Sequence, residues 1–208
     1  MDRRLIHSSS AFRSAFLSVA PAERDGWLDS LLGIPQLPDD GPDLPRGCVP
    51  YLPSSVNALW RMIEHADIQP DDVFVDIGSG VGRAALFTHL VTGASTIGLE
   101  IQPQLVEAQR ALCARLGLSR CAVVAGDAAH LCDDLASGTV FFLYCPFSGQ
   151  RVEAVLEGLM AIARTRLIRI CCLDLELGAR PWLERLPLPF NELSIYRSTL
   201  HAVHGAAG

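Results

Sequence analysis

The chain has 208 residues, half of them apolar and 19% charged, with a formal net charge of −6 and a mean hydropathy of +0.27. That length holds one sizeable domain and falls short of two, and the apolar content excludes a disordered chain, because enough surface can be buried to offset the entropy of ordering. The acidic balance suits a nucleic-acid backbone poorly, so no nucleic-acid partner is expected.

The first residues carry Arg3, Arg4 and Arg13 with Ser8, Ser9 and Ser10. With Asp2 early and no apolar signal core, they read as an ordinary N-terminal arm. Trp27, Leu28, Leu31 and Leu32 place a small helical cap over 22–32. Six prolines and three glycines then fill 33–53, which reads as an ordered loop. The cap with its loop, 1–53, precedes a main body, 54–208. In that body, Val56, Leu59, Trp60 and Ile63 share one face of a helix over 54–65, started by a serine N-cap. A strand follows at 73–77, then glycines, a helix over 83–91 and a strand at 96–101. Pro103 opens a helix to Leu116, with Leu105, Ala108, Leu112 and Leu116 along one stripe. Strands at 121–125 and 139–145 come next, the latter apolar enough for burial on both faces. A helix carrying Val152, Val155, Leu156, Leu159 and Ile162, a strand at 167–173, a short helix at 179–186 and a strand at 192–199 complete the chain. This alternation predicts an α/β, Rossmann-like, doubly wound and mostly parallel sheet with helices on both faces and a small N-terminal helical cap. Arg169 fits it poorly, since a charge within a central strand needs a partner the sequence does not reveal.

All 17 basic residues are arginine. The lack of lysine excludes a P-loop, a Schiff base and a lysine general base. The two longest uncharged runs, 84–99 and 135–150, are too short and too interrupted for a membrane span. The seven cysteines form no C-x-x-C pair, so neither a disulfide framework nor a metal site is expected, and the thiols suit a reducing, cytoplasmic setting. His201 and His204 read as part of a solvated tail.

Ligands of such sheets lie beyond the carboxyl ends of the strands. There the sequence reads Asp76-Ile77-Gly78-Ser79-Gly80-Val81-Gly82-Arg83, a D-x-G-x-G-x-G loop that turns sharply and lets a ligand lie against main-chain N–H groups. Arg83 stands where a dinucleotide fingerprint needs glycine or alanine, so the loop suits a ligand without a pyrophosphate. Glu100 ends the second strand, where a carboxylate accepts from a ribose diol. Asp127 ends the third, where it accepts from an adenine amino group. Together these describe a site for an adenosine with a charged tail. Each acid taken alone reads equally as the N-cap of the next helix.

This pattern resembles the class I, seven-strand S-adenosylmethionine-dependent methyltransferases over roughly 51–196. Within them the chain is most similar to the non-SET histone-lysine and ATP-synthase c-subunit lysine methyltransferases. The likeness rests on Val49-Pro50-Tyr51-Leu52-Pro53-Ser54-Ser55, on Val75 to Arg83, and on Val140-Phe141-Phe142-Leu143-Tyr144-Cys145-Pro146-Phe147. It implies that Asp76, Gly78, Ser79, Gly80 and Gly82 meet the methionine moiety of S-adenosylmethionine. Glu100 holds the ribose, Ile101 packs on the adenine, and Asp127 with Ala128 meets its edge. Tyr51, Ser54 and Ser55 close over the cofactor. Tyr144, Cys145, Pro146 and Phe147 form the wall beside the methyl group, where Cys145 packs rather than attacks and no amide orients an acceptor nitrogen.

The resemblance implies an enzyme that N-methylates a protein lysine. A small-molecule N- or O-methyltransferase and a catalytically silent cofactor-binding partner protein are the alternatives. Basic extensions of a nucleosome binder and a membrane segment are both missing, so a histone acceptor is not expected. Tyr51, Phe142, Tyr144 and Phe147 would supply an aromatic channel favouring a methylammonium, although Phe142 reads first as core.

Overall fold

The computed structural model describes residues 3–34, 50–130, 135–144 and 149–200. Most of the 33–53 loop, Cys145, Pro146, Phe147, His201 and His204 lie outside them. Seven strands form one sheet in the order β3-β2-β1-β4-β5-β7-β6. They are β1 (Val73–Ile77), β2 (Ser95–Glu100), β3 (Cys121–Ala125), β4 (Val140–Tyr144), β5 (Arg169–Leu173), β6 (Leu183–Arg185) and β7 (Leu193–Ser198). β1 to β5 run parallel, while β7 pairs antiparallel with both β5 and β6.

Apolar residues along the central strands alternate between the two faces, as the two-residue period requires. Phe74, Val140, Phe142, Cys171 and Ile195 point to one core, and Val75, Ile77, Phe141, Leu143, Ile170 and Cys172 to the other. The first core lies under α4 (Val56–His65), α5 (Arg83–Thr92) and α6 (Pro103–Leu116), and the second under α7 (Gln150–Ala163). The doubly wound sheet read from the sequence is therefore the one that forms.

Three local readings need correction. The N-terminal arm is helical, with α1 (Arg3–Ile6), α2 (Ser9–Ser18) and, after a single 3-10 turn, α3 (Arg24–Leu32). Ser8 Oγ accepts from the N–H of Ala11 and caps α2. Phe12 and Phe16, one helical turn apart, are fully buried against Phe87, with Trp27 beside both and Trp60 beside Phe16. Second, no serine side chain caps α4. The Asp25 carboxylate of α3 accepts from the N–H of Val56 at 2.9 Å instead, so the cap, not the local sequence, starts that helix. Third, the helix expected at 179–186 is the edge strand β6. Pro181 and Pro187 leave only five residues between them, too few for a stable helix, while the free edge of β7 takes Leu183–Arg185.

Arg169 has its partner. Its Nη2 lies 2.6 and 2.7 Å from the two oxygens of Asp72, and its Nη1 donates to the carbonyls of Ala66 and Asp67. Asp72 immediately precedes β1, so this ion pair pins the amino end of the sheet. Burial alone would raise the Asp72 carboxyl, but the Gln69 N–H, the Thr139 hydroxyl and Arg169 hold it below its usual value.

If the N-terminal helices are one core with the sheet, Phe16→Ala removes about 3–5 kcal/mol of stability. Urea unfolding checks this. An unchanged midpoint would mean that the arm packs on the body without supporting it.

Candidate functional site

The strand order reverses between β1 and β4, and a cleft opens there at the carboxyl ends of the strands, as expected for an open α/β sheet. It encloses about 910 Å³, counting the solvent at its mouth.

The glycine loop forms one wall, with positive φ at Gly78 (+82°), Gly80 (+56°) and Gly82 (+85°). Its main-chain donors are already used. The N–H groups of Gly78 and Ser79 both donate to the Leu99 carbonyl, at 2.9 and 3.0 Å, and that of Gly82 donates to Ser79 at 2.7 Å. The N–H of Gly80 donates to Glu100 Oε2 at 2.8 Å. At these four positions the loop has no free N–H group to offer, a correction to the sequence reading. Only Gly78 and Ser79 of the loop line the cleft. Gly80 is buried under the Tyr51 ring, where an added Cβ would lie 2.0 Å from Cε2. Gly82 is buried against Gln109, where it would lie 2.5 Å from Nε2.

Gln109 was not singled out in the sequence. Fully buried, it accepts from Ser79 Oγ at 2.7 Å and wedges between Gly82 and Gly98, where a Cβ would come within 2.2 Å. Its amide nitrogen has no hydrogen-bond partner among the described residues. The signal for it was present: a polar residue beside the apolar stripe of α6, facing two glycines.

Glu100 also differs from its simple reading. Beyond Gly80, its Oε1 accepts from the N–H groups of Ile101 and Gln102, each at 2.8 Å. Three of about four lone-pair sites are then taken, which leaves one, not two, for a ligand hydroxyl. Asp76 is buried with Oδ2 accepting from the N–H of Ala85 at 3.2 Å. Burial pushes its carboxyl up to about 7, against the Ala85 hydrogen bond and with the help of the Glu100 charge.

Ile101, Asp127 and Ala128 border the far end of the cleft, and Tyr51, Ser54 and Tyr144 border it elsewhere. Ser55 is exposed at the start of α4 and does not line it. Phe142 is buried in the core, stacked on Phe74, yet it reaches the cleft lining. Two arginines given no role from sequence also border it, Arg83 and Arg151. Arg83 spends its charge on Asp25 and Asp29, and Arg151 on Asp127. Asp76 and Glu100 are left facing the ligand space, a donor set suited to a cation.

Residues 51–121 match the family Histone methylation protein DOT1. A histone-lysine N-methyltransferase, H3 lysine-79 specific, from Cryptococcus neoformans is 43% identical over 45 residues, which are 22% of this chain and 7% of that protein's length. An RNA methyltransferase from Salinibacter ruber, solved with S-adenosyl-L-homocysteine, superposes with a TM-score of 0.55 at 26% identity, over 72% of this chain and 94% of its own. The chain has the fold of the class I S-adenosylmethionine-dependent methyltransferases. Precorrin-6y C5,15-methyltransferase from Geobacter metallireducens shares that fold at 16% identity, with a TM-score of 0.52 over 79% of this chain and 99% of its own. The DOT1-like stretch runs from Tyr51 through the glycine loop and Glu100 to the first residue of β3, so it covers the loop side of the cleft and ends before Asp127.

The raised Asp76 carboxyl gives a pH dependence of definite sign. The folded state holds this proton up to about pH 7, whereas an unfolded aspartate releases it near pH 4. The contribution of Asp76 to stability is therefore full below about pH 4 and is lost as the pH rises to about 7. Melting temperatures of the wild type minus those of Asp76→Asn should fall across that window, and a flat difference would show that the site does not hold the proton.

Proposed function

We propose that the protein binds S-adenosylmethionine in this cleft and transfers its methyl group to an amine nitrogen, with a protein lysine as acceptor. One observation carries the reading: the stretch similar to the DOT1 family supplies the loop side of a cleft in which Asp76 and Glu100 face a ligand space walled by Gly78 and Ser79 of the glycine loop. The fit to a sulfonium amino acid on an adenosine is chemical, since carboxylates meet its cationic groups and hydroxyls, and apolar Leu99, Ile101 and Ala128 lie beside its flat base.

The residues divide the work. Asp76 holds the ammonium, which favours its carboxylate and displaces its proton. Gly78 and Ser79 admit the tail closely, with Gly80 and Gly82 shaping the loop behind them. The remaining Glu100 lone pair takes a ribose hydroxyl, Ile101 covers one face of the base, and Asp127 with Ala128 meets its edge. Tyr51 and Ser54 close the near side, with Ser55 behind them. Tyr144 begins the acceptor wall that Cys145, Pro146 and Phe147 continue in sequence.

When bound, the cofactor supplies a methyl on a positive sulfur, which an acceptor nitrogen displaces in line, with the C–S electron pair returning to sulfur. The protein's share is orientation and exclusion of water. A lysine acceptor reacts as the neutral amine, so its proton must leave before attack, which a desolvated entrance favours. The acidic chain attracts a basic polypeptide more readily than a nucleic acid. Buried free thiols at Cys113, Cys121, Cys171 and Cys172 support the cytoplasm as its place of action.

Methyl-tritiated S-adenosylmethionine, incubated with the purified protein and a lysate from cells lacking it, tests the reading. Label should appear in protease-sensitive precipitate and be lost with Tyr144→Ala while the fold is kept. Glu100→Gln should weaken S-adenosylhomocysteine binding about tenfold or more, as loss of a hydrogen bond to a charged group does. Label only in soluble products would favour a small-molecule acceptor, and nuclease-sensitive label a nucleic acid. No label with cofactor binding intact would favour a silent binding partner.

A further inference from the structure

At the far end of the cleft two charged side chains from distant elements meet. Asp127 follows β3, and its Oδ1 accepts from the N–H of Ala129 at 3.1 Å. Nη1 of Arg151 lies between both carboxylate oxygens, 2.7 Å from Oδ1 and 2.8 Å from Oδ2. Both residues border the cleft and both are largely buried. Arg151 is the second residue of α7, where a cation faces the positive end of the helix dipole. The helix gains nothing from an arginine there, so its pairing with Asp127 accounts for the placement.

The pairing defines what Asp127 can do. Burial alone would raise its carboxyl, but Arg151 and the Ala129 N–H hold it below its usual value. Of about four lone-pair sites, Arg151 takes one on each oxygen and Ala129 takes the other on Oδ1. One site remains, on Oδ2, with the exposed His130 Nδ1 at 3.7 Å. A carboxylate so held accepts a hydrogen bond and donates none. A carboxylate without the arginine is freer to turn about its Cβ–Cγ bond, so its remaining acceptor site is no longer fixed in direction.

We propose that Arg151 is a positioning residue that sets the base selectivity of the cleft, fixing the direction of the Asp127 carboxylate so that its one remaining acceptor site meets a 6-aminopurine and opposes a 6-oxopurine. The proposal rests on the cofactor reading above. An amino group at the purine 6-position donates to the remaining Oδ2 site. A carbonyl there sets lone pair against lone pair, the kind of mismatch by which a polar site discriminates most strongly.

Titration calorimetry with S-adenosyl-L-homocysteine and S-inosyl-L-homocysteine provides the test, on the full chain, with melting curves showing that each variant is folded. The wild type should prefer the amino compound by about a hundredfold, below the limit for sites built around one hydrogen-bonding group. Arg151→Met should cut that ratio at least about fivefold, mainly by weakening the adenosyl compound, and Arg151→Lys, which keeps the charge, should restore most of it. Asp127→Asn, whose amide can donate or accept, should abolish the preference, and adding Arg151→Met should then change the ratio no further. An Arg151→Met protein that keeps the wild-type ratio would overturn the proposal, even if both affinities fell together, because that outcome marks a residue that merely docks α7. A wild type that binds the adenosyl compound without preference would overturn it as well. A wild type that binds neither compound would defeat the cofactor reading itself and this inference with it.

Discussion

The guanidinium of Arg83 is the junction on which the rest of this structure depends. It leaves the first residue of α5, directly after the glycine loop, and is itself buried. Nε and Nη2 grip the two oxygens of Asp29 at 2.9 and 3.1 Å, and Nη2 also donates to the Asp25 carbonyl. Nη1 reaches the Ser54 carbonyl and the Asp25 carboxylate. Four hydrogen bonds and the ion pair with Asp25 thereby engage every nitrogen of the fork, as a buried guanidinium requires. A lysine would bring one point charge and three donors, too few to join a cap helix, the strap before α4 and the cofactor helix at once. Asp25 closes the circuit, since the carboxylate that meets Arg83 also starts α4. Arg115, from the end of α6, adds a second tie by donating to the Leu32 carbonyl at the end of α3.

The same economy organises the cleft. Glu100 stands where a ligand-binding acid is wanted, but most of its hydrogen-bonding capacity goes to shaping the protein around it. Gln109 supports the loop from below and Tyr51 covers it from above, each filling the space left by a missing Cβ. The glycines therefore act by permitting close approach on both sides of the loop. The walls are rigid because the acids that would meet a ligand are fixed by main-chain donors before any ligand arrives. Preorganisation of this kind leaves little ordering to be done on binding.

Much of the architecture was legible because its causes are local. The strands at 73–77 and 121–125 and the helix from Pro103 to Leu116 form with the bounds read from the sequence, since apolar runs, a first-turn proline and glycine stops fix them. The failures share one cause, a partner far along the chain. Phe12 and Phe16 look like side chains of an arm until Phe87 and Trp60 are placed against them. The residues at 183–185 carry a helical composition, and only the open edge of β7 makes them a strand. Arg169 looked stranded because Asp72 is distant in sequence, yet β1 and β5, on either side of β4, bring the two together. In the cleft, the acids at the strand ends were visible as a spaced series. The arginines that face them were not, because neither glycine-loop nor helix signals call for a cation at 83 or 151.

The aromatic bridge between α2 and α5 bears on how the chain comes together during synthesis. Helix α2 leaves the ribosome before α4 and α5, yet part of the surface that covers Phe12 and Phe16 belongs to those later helices. Until α5 has emerged with Phe87, those rings are only partly covered by Trp27 and Trp60 and remain open to chaperones or to other nascent chains. The glycine loop precedes α5 directly, so the step that lets the N-terminal helices settle is also the step that delivers the loop. Cap and cleft are thus completed together, and a molecule with a finished cleft and a loose cap is a species this fold does not favour.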